Sequence, residues 1–141
     1  MMSKPLYTRD ILRLASAIPH LGLLADPHGS ADLRSPVCGS RVQLTLRLDP
    51  DAHVAALGQS VTACAFGQAS AALMGAHAIG RSRDEVDQAL QQLTRWLCGE
   101  SDTPGGWPNL ASLAPARPKT GRHGAILLPF RAFLAAIDSV L

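Results

Sequence analysis

Aromatic residues are scarce in this 141-residue chain, with one Tyr, two Trp and three Phe. They are not interleaved with clusters of Lys or Arg, so the stacking surfaces and basic stripes of a nucleic-acid binder are missing. Charge of one sign is missing too: 13 basic and 11 acidic residues are interspersed, for a formal net charge of +2. No apolar run reaches the ~18 residues that a membrane-spanning helix needs. The opening MMSKPLYTRD has no apolar signal core, so export is not expected. Three cysteines at wide spacing, Cys38, Cys64 and Cys98, do not make a disulfide framework and are expected to be reduced thiols in a cytoplasm. No phosphate-binding loop, dinucleotide glycine motif, Ser-His-Asp pattern or paired CxxC is present. Asp10, Asp26, Asp32 and Glu85 fall in capping or loop contexts, so an acid–base enzyme is not expected.

What is present is organised by residues 61–80, VTACAFGQASAALMGAHAIG. Val61 and Ala63 alternate with Ser60 and Thr62 as at the end of a half-buried strand. From Ala65 to Ile79 only Gln68, Ser70 and His77 are polar. A helix apolar on nearly every side belongs in the middle of a domain, and Gly80 is placed to end it in a left-handed cap. Cys64 then sits where a strand hands over to the first turn of a central helix. The unpaired N–H groups there favour a thiolate and lower a cysteine's pKa. A small buried core cysteine fits the same position equally well on sequence grounds.

The length and the 47% hydrophobic content suit one domain over residues 1–141 with a real core. Thr8 is placed to cap a first helix over residues 9–18, with Pro19 stopping it. Residues 20–36 read as loop. SPVCGS holds Cys38 in a Pro/Gly turn, and RVQLTLRLD alternates strictly, with Val42, Leu44, Leu46 and Leu48 inward. A second strand is expected over residues 53–57 and a third over 59–63. These make an α+β fold, a three-stranded antiparallel sheet with helices packed on one face. In that layout Cys38 starts the first strand, Cys64 follows the last, and the two approach each other at one end of the sheet.

Ser82 and Glu85 form a capping box that opens a helix running to Leu97, with Cys98 at its end and Gly99 closing it. Residues 100–121 are a long Pro/Gly-rich loop, pinned by Trp107, Leu110 and Leu113. A last helix spans residues 122–140. Pro129 either starts its main part or kinks it.

The chain resembles the iron–sulfur cluster assembly scaffolds of the IscU/SufU/NifU N-terminal type, and most nearly the SufU branch. LYTRDIL resembles the family's first helix and SPVCGS its NPxCGD turn. ACAFGQASAALM resembles its GCxISxASASMM segment, and LAPAR followed by RHGAILLPFRAF resembles its closing PARxKCAxLxWxAL. The resemblance implies a site of three cysteines and one aspartate. Carried over by position, Cys38 and Cys64 are the first two cysteines. Ser40 stands at the aspartate, Ala125 at the third cysteine, and Gly124 at a histidine found in some relatives.

A [2Fe–2S] cluster needs four ligands, preferably thiolates, and a structural Zn²⁺ site also needs four. Alanine offers none, and a serine hydroxyl must first lose a high-pKa proton. His123, His28, a second chain or a small thiol would have to complete the set. The resemblance therefore implies cofactor contacts at Cys38 and Cys64, and a metal set of Cys38, Cys64 and His123. The cargo is a [2Fe–2S] cluster or iron, with zinc as a further option. The implied partners are a cysteine desulfurase and apo iron–sulfur acceptor proteins, with no nucleic acid and no membrane. Two other roles stay open: a module that docks on or regulates a desulfurase without holding a cluster, and a zinc-dependent sulfur acceptor.

Overall fold

The computed structural model describes residues 8–36 and 39–141. Its sheet is built from β1 (Gly29–Arg34), β2 (Arg41–Leu48) and β3 (Val54–Thr62), all antiparallel in the order β1-β2-β3. The inward residues Val42, Leu44 and Leu46 of β2 are fully buried. Helices α1 (Arg9–Ala15), α2 (Ala65–Ala76), α3 (Arg83–Leu97) and α4 (His123–Asp138) complete the fold. α4 lies against β1 and β2, α2 packs on α4 and β3, and α1 and α3 flank that pair. Among the described residues no helix is long and apolar enough to cross a membrane.

Two expectations about the sheet are corrected. Residues 29–34, read as loop, are the edge strand β1. Its inward residues are Gly29, Ala31 and Leu33, and two of the three are too small to give a hydrophobic alternation. The expected strands over residues 53–57 and 59–63 are one strand, β3, which runs straight through Gly58. That glycine marks close backbone approach and not a turn. A Cβ there would lie 2.9 Å from both Leu24 N and Thr45 Oγ1, so only glycine admits the 20–24 segment that crosses the outer face of the sheet. Leu24 N–H donates to Thr45 Oγ1 at 2.9 Å, which closes that crossing.

The helix ends also differ in detail. α1 stops at Ala15, with Thr8 Oγ1 accepting from Ile11 N–H as its N-cap. α2 stops at Ala76 with His77 as its C-cap. Gly80, at φ +88°, turns the chain so that its N–H donates to Val54 O at 2.7 Å. The capping box of Ser82 and Glu85 is formed. α3 ends in a Schellman motif, with Gly99 N–H donating to Trp96 O and Glu100 N–H to Arg95 O.

The long loop is two 3-10 helices, Leu110–Ala116 and Thr120–Arg122, anchored by aromatics. The Trp107 indole N–H donates to Leu73 O at 2.9 Å, and its ring meets Phe130 edge-on at 5.3 Å between centroids. The Arg81 guanidinium lies over that indole, 4.6 Å from its centroid. Arg117 lies over Trp96 and donates to Trp96 O and Ser101 O. A loop built this way is part of the core and holds the start of α4 in place.

Candidate functional site

Three segments converge at the end of the sheet where β1 turns into β2. The first is the turn itself. Ser35 N–H donates to Ser40 O at 2.8 Å and Gly39 N–H to Ser35 O at 3.0 Å. Gly39 sits at φ +71°, in the left-handed region that glycine enters without strain. Val37 and Cys38 lie outside the described residues, so Cys38 is known here by sequence position alone.

The second segment is Cys64 with the first turn of α2. The pairing of Arg41 with Thr62 sets the end of β3 beside the start of β2. The chain leaving β3 therefore passes the same end of the sheet as the Ser35–Ser40 turn. Cys64 is the N-cap of α2, at φ −65° and ψ 172°, and its side chain makes no capping hydrogen bond. The carbonyl of Cys64 accepts from Gln68 N–H at 2.9 Å, so its backbone is committed to the helix. Its thiol is half-buried against the rim of the core and free of any disulfide.

The third segment is the start of α4. A Cβ at Gly124 would lie 3.2 Å from Ser35 Oγ, which seats α4 on the turn. A Cβ at Gly67 would lie 3.3 Å from Ala125 Cβ and 2.7 Å from Ala63 Cβ, so α2 and α4 meet backbone to backbone one turn beyond Cys64. Ser70 Oγ–H donates to Ile126 O at 2.5 Å and ties the two helices again. Pro129 stands inside α4 and has no N–H for Ala125 O, so the carbonyl facing Gly67 lacks its in-helix donor.

At this corner Cys64 contributes sulfur, and its two neighbours contribute little. Ala125 is 1% exposed and apolar. Ser40 is 3% exposed, so its hydroxyl is set back from the surface. Among the described residues, the group of His, Cys, Asp and Glu side chains close enough to share an ion is Asp49, Asp51 and His53, in the β2–β3 turn at the far end of the sheet.

The histidines and the third cysteine lie elsewhere. His123 Nε2 is 3.1 Å from Ala116 O and 2.9 Å from Arg117 O. Both partners are acceptors, so that nitrogen carries a hydrogen. Successive α-helical residues turn by about 100°, which sets His123 about 200° around α4 from Ala125. The ring opens on a groove of about 540 Å³ shared with Cys98, Arg117 and Thr120. Cys98 is exposed at the C-cap of α3. His28 Nδ1 accepts from Leu48 N–H at 2.9 Å, at the opposite end of β1 from the turn. The sequence singled out Cys64 and the positions of Ser40 and Ala125. It did not point to Gly67 or Ser70, which set how closely α2 and α4 approach. The small-xx-polar spacing of Gly67 and Ser70 in an apolar helix was the available signal.

No family model matches the sequence, and no curated protein matches it. Solved structures do. A nitrogen-fixing NifU-like protein (N-terminal) from Brucella abortus superposes with a TM-score of 0.90 at 32% identity, over 96% of this chain and 94% of that one. A protein assigned as the iron–sulfur cluster assembly scaffold of the SUF system, from the thermophile Fervidobacterium islandicum AW-1, gives a TM-score of 0.85 at 18% identity. That alignment covers 94% of this chain and 96% of the other. A third structure, of a protein without an assigned function, gives 0.80 at 21% identity over 92% and 94%.

Proposed function

Because the chain belongs to the IscU/SufU/NifU N-terminal family of iron–sulfur cluster assembly scaffolds, we propose that it takes part in iron–sulfur assembly as a carrier whose own ligand set is incomplete. The observation that carries this reading is the convergence at one corner of Cys64, the Ser35–Ser40 turn and the Gly124–Ala125 start of α4. These are the positions from which the family's motif supplies its ligands. Cys64 and Cys38 are the residues that hold iron or sulfide cargo, through their thiolates. Ser40 and Ala125 contribute no donor of comparable strength, so the residues present do not make a complete four-ligand set for a [2Fe–2S] cluster or for zinc. The remaining coordination comes from the cysteine desulfurase, from the apo acceptor protein or from a small thiol. The role is that of a scaffold and not an enzyme, and it suits the cytoplasm, where thiols stay reduced.

Anaerobic reconstitution with iron and sulfide tests this. The expected result is a visible charge-transfer absorbance that falls in Cys64→Ala and in Cys38→Ala. A colourless wild-type product overturns it.

The burial of both Ser40 and Ala125 favours a second reading, a module that docks on a desulfurase and regulates it without holding a cluster. That reading predicts a colourless protein that still forms a stable complex with a cysteine desulfurase. The zinc-dependent sulfur acceptor predicts about one equivalent of zinc after purification, since tight structural zinc survives it.

A further inference from the structure

The end of the sheet that carries the Cys64 corner also gathers positive charge. Arg34 and Arg41 are directly opposed across β1 and β2. Both belong to the outer face, since the inward positions alternate through Ala31 and Leu33 on one strand and Val42 and Leu44 on the other. Like charges directly opposed on a sheet destabilise it. Asp32 relieves part of this, with Oδ1 accepting from Arg41 Nε at 2.9 Å and Oδ2 from Nη2 at 2.7 Å. The segment leading into α4, which seats Gly124 on the turn, adds Lys119 and Arg122, neither of which forms an ion pair among the described residues. From Thr103 to Ile137 the chain holds no acidic residue at all. Set apart from these four cations and Asp32, the rest of the chain has nine bases against ten acids.

We propose that this rim, formed by Arg34, Arg41, Lys119 and Arg122 around the Cys64 corner, docks an acidic protein surface. The inference rests on the reading of the corner as the place where cargo is exchanged, and it names the chemistry of the partner there. Concentrating positive charge at one end while the remainder is slightly acidic orients an approaching anionic surface toward the corner. A single-stranded nucleic acid fits less well. The tryptophans are buried, and Arg117 covers Trp96, so the rim has no aromatic platform for bases.

The test is backbone amide NMR of the full chain, titrated separately with a hexaglutamate peptide and with a short single-stranded DNA at low salt. The expected result is hexaglutamate shifts at Arg34, Lys119, Arg122 and Cys64. They should weaken by about tenfold in Lys119→Glu/Arg122→Glu and fade near 0.15 M salt, where the screening length is about 8 Å. Shifts scattered over the whole surface, or tighter binding of the DNA at the rim, overturn the proposal. The same double variant is then mixed with a cysteine desulfurase. If the wild type forms no complex, the exchange reading fails while the peptide result still decides the rim. If the wild type binds and the charge reversal changes nothing, the rim proposal fails and the exchange reading stands.

Discussion

Gly67 and Ala125 touch across α2 and α4, so closely that a Cβ on the glycine would lie 3.3 Å from the alanine's Cβ. The contact lies one helical turn from Cys64, and it makes the distance between the two helices a property of the site. A larger residue at position 67 must push against Ala63 Cβ, 2.7 Å from where its own Cβ would be, as well as against α4. Gly67→Val is expected to destabilise the fold by about 1–3 kcal/mol, the usual range for overpacking. Urea denaturation reads this as a lower midpoint at unchanged slope.

Adding donors at positions 40 and 125 should raise metal holding. Ser40→Asp/Ala125→Cys supplies a carboxylate and a thiol at the two positions flanking Cys64. Zinc retained after gel filtration is expected to rise toward about one equivalent per chain, since four ligands make a closed structural site. An unchanged zinc content in a folded double variant would show that those positions do not aim at the same point as Cys64.

Trp107 holds the loop that delivers α4. It is buried, hydrogen-bonded to Leu73 O and packed edge-on against Phe130. Trp107→Ala is expected to cost about 3–5 kcal/mol, because it removes a large side chain and leaves Leu73 O without this donor. A loss under about 1 kcal/mol in chemical denaturation would mean that the loop is not anchored through this ring.

Stability should depend on Glu85 on the acid side. The Ser82 backbone N–H, then the Arg81 guanidinium, hold the Glu85 carboxyl below its ordinary value of 4.5. A carboxyl depressed in the folded state contributes its stability above the unfolded pKa and loses it as the pH falls through the folded one. Melting temperatures of wild type should therefore decline below about pH 4.5, and Glu85→Gln should decline less steeply over the same window. Parallel curves would remove the role of the charge, since glutamine can still close the capping box.

Local patterns were readable without coordinates wherever the physics is local. The alternation of Val42, Leu44 and Leu46 announced β2, and Ser82 with Glu85 announced the start of α3. Gly99 announced the end of α3. β1 was not readable, because Gly29 and Ala31 are inward without being recognisably hydrophobic. Gly29 is small for a tertiary reason: a Cβ there would lie 2.7 Å from Ser139 Oγ at the end of α4. Gly58 misled in the same way. It falls between the two expected strands and is a point of contact with the 20–24 segment.

The sequence by itself determined the helices, the central strand and the family, because capping, periodicity and motif order are written in neighbouring residues. The tertiary structure alone decided that Gly67 meets Ala125 and that Gly124 rests on Ser35. It also decided that His123 gives its Nε2 proton to the carbonyls of Ala116 and Arg117 and opens beside Cys98. Those are questions of how closely two helices approach and which way around its axis each is turned. Side chains far apart in the chain settle both together, and no short stretch of sequence records the outcome.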